Sequence, residues 1–103
     1  MDDRLNEILA TINGFYYYVD EMINQYILLI NEAIEIISKI EAPPASMLED
    51  AKNNALNELS NELASRLNES FFNAPSERRK NEFKISKMLA GVAIGNVLAN
   101  MKS

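Results

Sequence analysis

The strongest constraint on the fold of this chain is an apolar pattern that runs through residues 2–41. With Leu5 at heptad position a, every a, d and e position through Ile40 holds an apolar residue or a tyrosine. A wide apolar face at helical period is typical of a helix that packs against a core. Because the pattern continues through Gly14, it predicts one continuous helix, with Gly14 as its weak point.

Prolines divide the chain into three segments. Residues 43–44 are both proline and Pro75 begins the third segment, and a proline ends a helix at or before the preceding residue. The later segments also carry apolar residues at helical spacing. We therefore predict a single all-α domain over 1–103: the long first helix, a Pro-Pro turn, a second helix over about 46–71 and a third over about 75–101. Together they would form an elongated helical hairpin or bundle.

The start of the second helix has its own signal. Ser46 precedes Glu49 by three residues, which is the spacing of a capping box. In that motif the serine and glutamate side chains each accept a hydrogen bond from the other residue's backbone N–H group. We expect both bonds here.

Composition favours helices and excludes several kinds of catalytic site. The 103 residues are 48% hydrophobic and 24% charged, with only three glycines and three prolines. Such a chain is apolar enough to fold but has few of the turn residues that a many-stranded sheet needs. Cysteine and histidine are absent, which removes thiol nucleophiles, the commonest general base and the usual zinc ligands. We expect a non-enzymatic protein without a metal or a cofactor.

The length of the predicted first helix indicates that one copy of the chain is incomplete. A helix of about 40 residues is roughly 60 Å long, whereas a compact domain of this size is only about 35 Å across. The two shorter helices would leave about 20 Å of its apolar face uncovered. We expect a second chain to cover the remainder. The alternative is a bend at Gly14, which would let the chain close as a four-helix bundle.

We predict that the partner surface lies on the first helix and in the stretch 88–101, which is apolar on nearly every side and therefore expected to be buried all round. Tyrosine is enriched at interfaces, and a Gly-x-x-x-Gly spacing lets two helices approach closely. Solvated tyrosines, and glycines packed within the chain's own core, are the alternatives. The predicted interface residues are Tyr16, Tyr17, Tyr18, Ile23, Ile27, Ile30, Ile34, Ile37, Gly91 and Gly95.

Two pairs of carboxylates merit a test for chemistry. Glu58 with Glu62, and Glu32 with Glu35, each lie about one helical turn apart, as a catalytic acid–base pair could. However, Glu62 precedes Arg66 by four residues, and Glu35 precedes Lys39 by four. This order favours ion pairs along a helix surface. We therefore interpret these carboxylates as solvated acidic faces.

Charge is distributed unevenly along the chain. Residues 1–42 carry eight acidic and two basic residues, whereas residues 73–103 carry two acidic and six basic residues. The basic cluster could contact an anion and consists of Arg78, Arg79, Lys80, Lys84 and Lys87. A nucleic-acid or anionic-surface binder that uses 78–87 is the alternative function. We expect instead that the cluster docks against the acidic segments, within the chain or between copies.

No membrane span or cleaved secretory signal is expected. The longest charge-free stretch, 88–101, has about 14 residues, fewer than the roughly 20 that a bilayer crossing requires. The N-terminal residues Asp2 and Asp3 are acidic, where a signal peptide needs a basic region. We expect a cytoplasmic protein, with export without a cleaved signal as the alternative.

A long helix, a turn near residue 43 and a second helix in about a hundred residues resemble the small helical-hairpin proteins with a Trp-x-Gly turn that type VII secretion exports. Tyr16 and Asp20 fit the Tyr-x-x-x-Asp pattern of that class's export signal, here within the first helix, and Pro43 and Pro44 lie where the class has its turn. The topology is also similar to type III secretion needle subunits and their small helical chaperones. The resemblance implies a secretion-associated protein.

These inferences combine into one expected function. We expect a helical protein–protein interaction module, homodimeric or paired with another helical protein, that serves as an accessory, chaperone, inhibitor or secretion-associated protein. Nucleic acid is not expected as its partner.

Overall fold

The computed structural model describes residues 2–15 and 19–102. This part of the chain contains five α-helices and one π-helical turn. The prediction of an all-α fold is confirmed. The elements in chain order are α1 (Asp2–Asn13), α2 (Asp20–Ser38), α3 (Met47–Asn61), the π-helical turn (Glu62–Arg66), α4 (Glu69–Phe72) and α5 (Ser76–Met101).

The prediction of one continuous helix over 2–41 is wrong. α1 ends at Asn13, and α2 begins only after Val19, whose backbone is extended with φ −78° and ψ 153°. The N–H group of Gly14 still donates to the carbonyl oxygens of the last turn of α1, and Gly14 has no positive φ. The helix therefore stops at this point without a backbone conformation that only glycine favours.

After this break the chain folds back on itself. Arg4 near the start of α1 forms an ion pair with Glu32 in α2, 28 residues later, with Nη2 and Oε1 2.7 Å apart. α1 also packs along α5, where Gly91 faces Leu9 and Asn13. The apolar face that was expected to need a second chain is therefore covered by the chain's own helices. The bend that the sequence left as an alternative is the observed arrangement.

One hydrophobic core joins α1, α2, α3 and α5. Its rings include Tyr26 and Phe83, which meet edge to face with centroids 5.0 Å apart, an arrangement that aromatic pairs favour. Each fully buried Leu, Ile or Val contributes about 1.5–3 kcal/mol. The buried core residues of the long helices, apart from the polar Ser86, are Leu5, Ile8, Ile12, Ile23, Tyr26, Ile30, Ala33, Ile37, Ala51, Ala55, Leu59, Phe83, Ala90, Ala93, Ile94, Val97 and Leu98.

The turn before α3 forms only half of the predicted capping box. Ser46 Oγ accepts a hydrogen bond from the N–H of Glu49 at 3.0 Å. The N–H of Ser46 donates to the carbonyl oxygen of Pro43 instead of to Glu49. The chain enters this turn through Ala45, which has a φ of 61° in the left-handed region. Such a conformation costs an alanine roughly 1–2 kcal/mol.

The second predicted helix, over about 46–71, is interrupted. The π-helical turn follows α3, and Leu67 then leaves the helical conformation with φ −99° and ψ 43°. α4 starts anew after Asn68, whose side chain accepts a hydrogen bond from the N–H of Phe71 at 3.4 Å. α5 begins at Ser76 directly after Pro75, where a proline fits because the N–H groups of the first turn have no helical partner.

Candidate interaction surface

α5 exposes a row of large apolar side chains, which we call the α5 stripe. It consists of Ile85, Met88 and Val92, which are 38%, 61% and 58% exposed. Their spacing of three and four residues places them on one face of the helix. The chain's own helices therefore leave this face of 88–101 exposed, so its burial on every side would require another chain. α1, α2 and α3 cover the other sides of α5 but leave the stripe open.

An acidic groove lies on the α3 side of the stripe. It has a volume of about 360 Å³ and is lined by Val92 and Met47, of which Met47 is 77% exposed. Two carboxylates from α3, those of Asp50 and Glu58, also line it, whereas no basic side chain does. This groove combines an apolar floor with negative charge.

A second groove, the lysine groove, lies on the α1 side of the stripe. It has a volume of about 350 Å³ and is lined by Asn13, Ile85, Met88 and the two lysines Lys84 and Lys87. No acidic side chain lines it. The α5 stripe thus separates a negative groove from a positive one.

The two glycines of the Gly-x-x-x-Gly motif have different surroundings. A Cβ atom at Gly91 would meet Asn13 Oδ1 at 3.6 Å and Leu9 Cδ1 at 3.8 Å, which are ordinary contacts with α1. A Cβ atom at Gly95 would meet nothing within 4 Å. Glycine in a helix costs about 1 kcal/mol relative to alanine. Packing within the described chain therefore gives no reason for glycine at position 95.

Most of the predicted interface on the first helix is not a free surface. Ile23, Ile30 and Ile37 are 0% exposed and belong to the chain's own core. Ile27 and Ile34 are partly buried and pack against that core. The physical reason is the bend after α1, which brings the helices of the same chain over this face. The predicted contact at residues 16–18 lies outside the described residues.

Some bases of the basic cluster contact other residues of the chain, whereas the others face solvent. Arg79 Nη1 lies 3.2 Å from Asp20 Oδ1, and Lys87 Nζ donates to the carbonyl oxygen of Phe15. Lys87 therefore contacts the start of the connection between α1 and α2, and Arg79 contacts the chain just after that connection. The basic residues of the cluster that are exposed are Arg78, Lys80 and Lys84.

A buried polar network crosses the core between α2, the π-helical turn and α5. Glu62 is only 2% exposed and accepts a hydrogen bond from Arg66 Nε at 2.7 Å. Arg66 Nη1 donates to Glu82 at 2.6 Å, and the hydroxyl groups of Tyr26 and Ser86 are 2.8 Å apart. Burial raises the pKa of the Glu62 carboxyl, and this effect outweighs the opposing charge of Arg66. Burial likewise raises the pKa of Tyr26, so its hydroxyl stays neutral.

The network corrects one prediction about the carboxylates. The two predicted ion pairs form, and Lys39 Nζ lies 3.2 Å from Glu35 Oε1 on the surface. The pair between Glu62 and Arg66, however, is largely buried, whereas a solvated face was expected. Among residues 2–15 and 19–102, no group of three or more acidic, histidine or cysteine side chains could hold a metal ion.

Sequence reasoning placed Gly91, Gly95 and the apolar stretch 88–101 in the interaction surface but missed Ile85 and Met47. Ile85 stands among basic residues and Met47 opens a helix, so neither belongs to a long apolar run. Across the described part of the chain, no helix combines the length and the hydrophobicity that a membrane crossing requires.

Comparison with protein-family models, with curated proteins and with solved structures gives no significant match in any of the three. The resemblance to secreted helical hairpins rested on a long first helix, and the chain instead divides this segment into α1 and α2.

Proposed function

We propose that this protein is a non-enzymatic helical interaction module that binds another protein chain through the outer face of α5. The observation that carries the proposal is the exposure of Ile85, Met88 and Val92 in one row. Two of these residues, Met88 and Val92, belong to the stretch 88–101, which has no charged side chain. Adjoining exposed apolar side chains mark binding sites, whereas single ones are ordinary on protein surfaces.

Burial of the α5 stripe alone would not give a stable complex. Full burial of an Ile, Met or Val side chain contributes about 1.5–3 kcal/mol, and these three side chains are already partly buried. Their further burial would add only a few kcal/mol, whereas association costs about 4–15 kcal/mol in lost freedom of motion. A partner must therefore also fill the acidic groove and the lysine groove, which adjoin the stripe.

The alternative, a nucleic-acid or anionic-surface binder that uses 78–87, has less support. Arg79 and Lys87 are engaged with the connection between α1 and α2. Two acidic residues, Glu77 and Glu82, lie among the remaining bases of α5, and the chain as a whole has a net charge of −5. Phosphate binding relies on several unpaired bases that act together.

Site-specific photo-crosslinking tests the proposal. A benzophenone amino acid is placed at Val92 in the stripe and, as a matched control, at Leu28, an exposed apolar residue of α2. We expect crosslinking to a protein in the native cells from position 92 and not from position 28. The adduct should re-form between purified proteins and should be lost when Met88→Lys is added. Equal crosslinking from both positions, or none from position 92, would overturn the proposal.

A further inference from the structure

Opposite charges flank the α5 stripe. On its α3 side, Asp50 and Glu58 line the acidic groove. On its α1 side, Lys84 lines the lysine groove and is exposed. Neither groove is lined by a side chain of the other sign. The face thus has an apolar centre with negative charge on one side and positive charge on the other.

We infer that the partner at this face is a second copy of the same chain, an inference that rests on the proposed function. A two-fold axis can lie in the plane of this face, pass through the stripe and run at right angles to the line that joins the two grooves. Such an axis places the acidic groove of each copy opposite the lysine groove of the other. The lysine groove of one copy, with Lys84, then faces the acidic groove of its partner, with Asp50 and Glu58, and the same pairing occurs twice. An isologous dimer requires this kind of self-complementary surface.

The size of the face agrees with a dimer of this kind. The molecule is 44 Å long and 22 by 17 Å in cross-section, so one long face has an area close to the roughly 800 Å² that each partner buries in a standard interface. α5 is 26 residues long and therefore spans about 39 Å of that length. A dimer through the α5 face can thus reach the size of a stable interface.

Gly95 adds an independent reason for close contact. It lies three residues beyond Val92 on α5, and a side chain there would meet nothing within 4 Å in its own chain. Glycine allows another backbone to approach closely. In the dimer, the missing side chain lets the α5 helices of the two copies approach where they cross.

Sedimentation velocity of the full chain, over roughly 1 µM to 0.5 mM, tests the inference. We expect a reversible increase from the 11.6 kDa monomer to twice that mass. Lys84→Glu and Asp50→Lys each place like charges in facing grooves, and each should weaken dimerisation by about tenfold or more. The double variant reverses both signs, so it should recover most of the lost affinity. Both residues are exposed, and circular dichroism verifies that each variant folds.

Lys39→Glu is the matched control, because Lys39 is exposed and lines neither groove. It should leave the dissociation constant unchanged. A monomer at every concentration, or a dimer that the Lys84 and Asp50 variants do not alter, overturns the inference. If position 92 then still crosslinks a different protein, the proposed function survives without self-pairing. If it crosslinks nothing, both proposals fail.

Discussion

The hydroxyl oxygen of Tyr26 lies 2.8 Å from Oγ of Ser86, and both side chains are fully buried. The hydrogen bond joins residues that are 60 positions apart in the chain, and it connects α2 to α5. Tyr26→Phe keeps the ring and its edge-to-face contact with Phe83 but removes the bond. We expect a loss of about 1 kcal/mol in the free energy of unfolding, measured by urea denaturation.

A double-mutant cycle isolates this bond from other effects. The Ser86 hydroxyl also lowers the pKa of Glu62, so Ser86→Ala alone removes an interaction that favours this carboxylate as well and should cost more than Tyr26→Phe. The double variant should be more stable than the sum of the single changes predicts, by about 0.5–1.5 kcal/mol. Strict additivity would show that the two hydroxyl groups do not interact.

Glu62 should make stability depend on pH in an unusual direction. Burial raises the pKa of its carboxyl above the ordinary 4.5, so the folded state binds more protons than the unfolded state between the two values. Stability therefore decreases as pH rises from 4.5 through the folded pKa. Glu62→Gln cannot ionise, so it should remove this decrease and leave the protein at least as stable as the wild type at neutral pH.

Denaturation curves recorded from pH 4 to pH 8 measure this effect. Glu35→Gln is the control, because Glu35 is an exposed carboxylate paired with Lys39, and it should change the profile little. A Glu62→Gln profile that still falls over this interval would contradict the assignment of the pH dependence to Glu62.

Gly14→Ala should stabilise the protein. Gly14 has no positive φ, and an added Cβ would lie 3.5 Å and 3.6 Å from the carbonyl oxygens of Thr11 and Ala10, which is ordinary contact. The substitution reduces the freedom of the unfolded chain, which is worth about 0.4–1 kcal/mol. Thermal unfolding measures the gain. A lower melting temperature would mean that the bend needs a conformation which alanine avoids.

Ala45→Gly should relieve backbone strain in the turn before α3. A left-handed alanine costs roughly 1–2 kcal/mol, whereas the greater freedom of unfolded glycine offsets about 0.4–1 kcal/mol of that relief. We expect a net gain of up to about 1.6 kcal/mol. Ala10→Gly, at an exposed position in the last turn of α1, is the matched control and should lose up to about 1 kcal/mol. Losses of similar size at both positions would exclude strain at Ala45.

The helical fold could be predicted from sequence, but the bend after α1 could not. α1 buries the a and d positions of the heptad pattern, as at Leu5 and Ile8, whereas α2 buries e and a positions, as at Ile23 and Tyr26. The buried side of the helix therefore shifts around the helix axis between α1 and α2. Because the a, d and e positions are all apolar, the pattern conceals this shift. Contacts from α5, such as that of Arg79, hold the connection and lie far outside the local sequence.

The candidate interaction surface was only partly predictable for a related reason. The stretch 88–101 is apolar on nearly every side, so its periodicity does not indicate which side the rest of the chain covers. The exposure of Met88 and Val92 depends on where α1 and α3 pack. The burial of Glu62 similarly depends on the π-helical turn, which residue spacing does not signal.

The packing of α1 on α5 also has a consequence for the order of folding. α1 has 12 residues, and isolated helices of that length are marginal in water. Its main contacts are with α5, which is synthesised after α1, α2 and α3. α2 and α3 can pair earlier, since Lys52 reaches the carbonyl oxygen of Ile40 only 12 residues away. α1 should therefore acquire protection from hydrogen exchange later than α2 and α3 do.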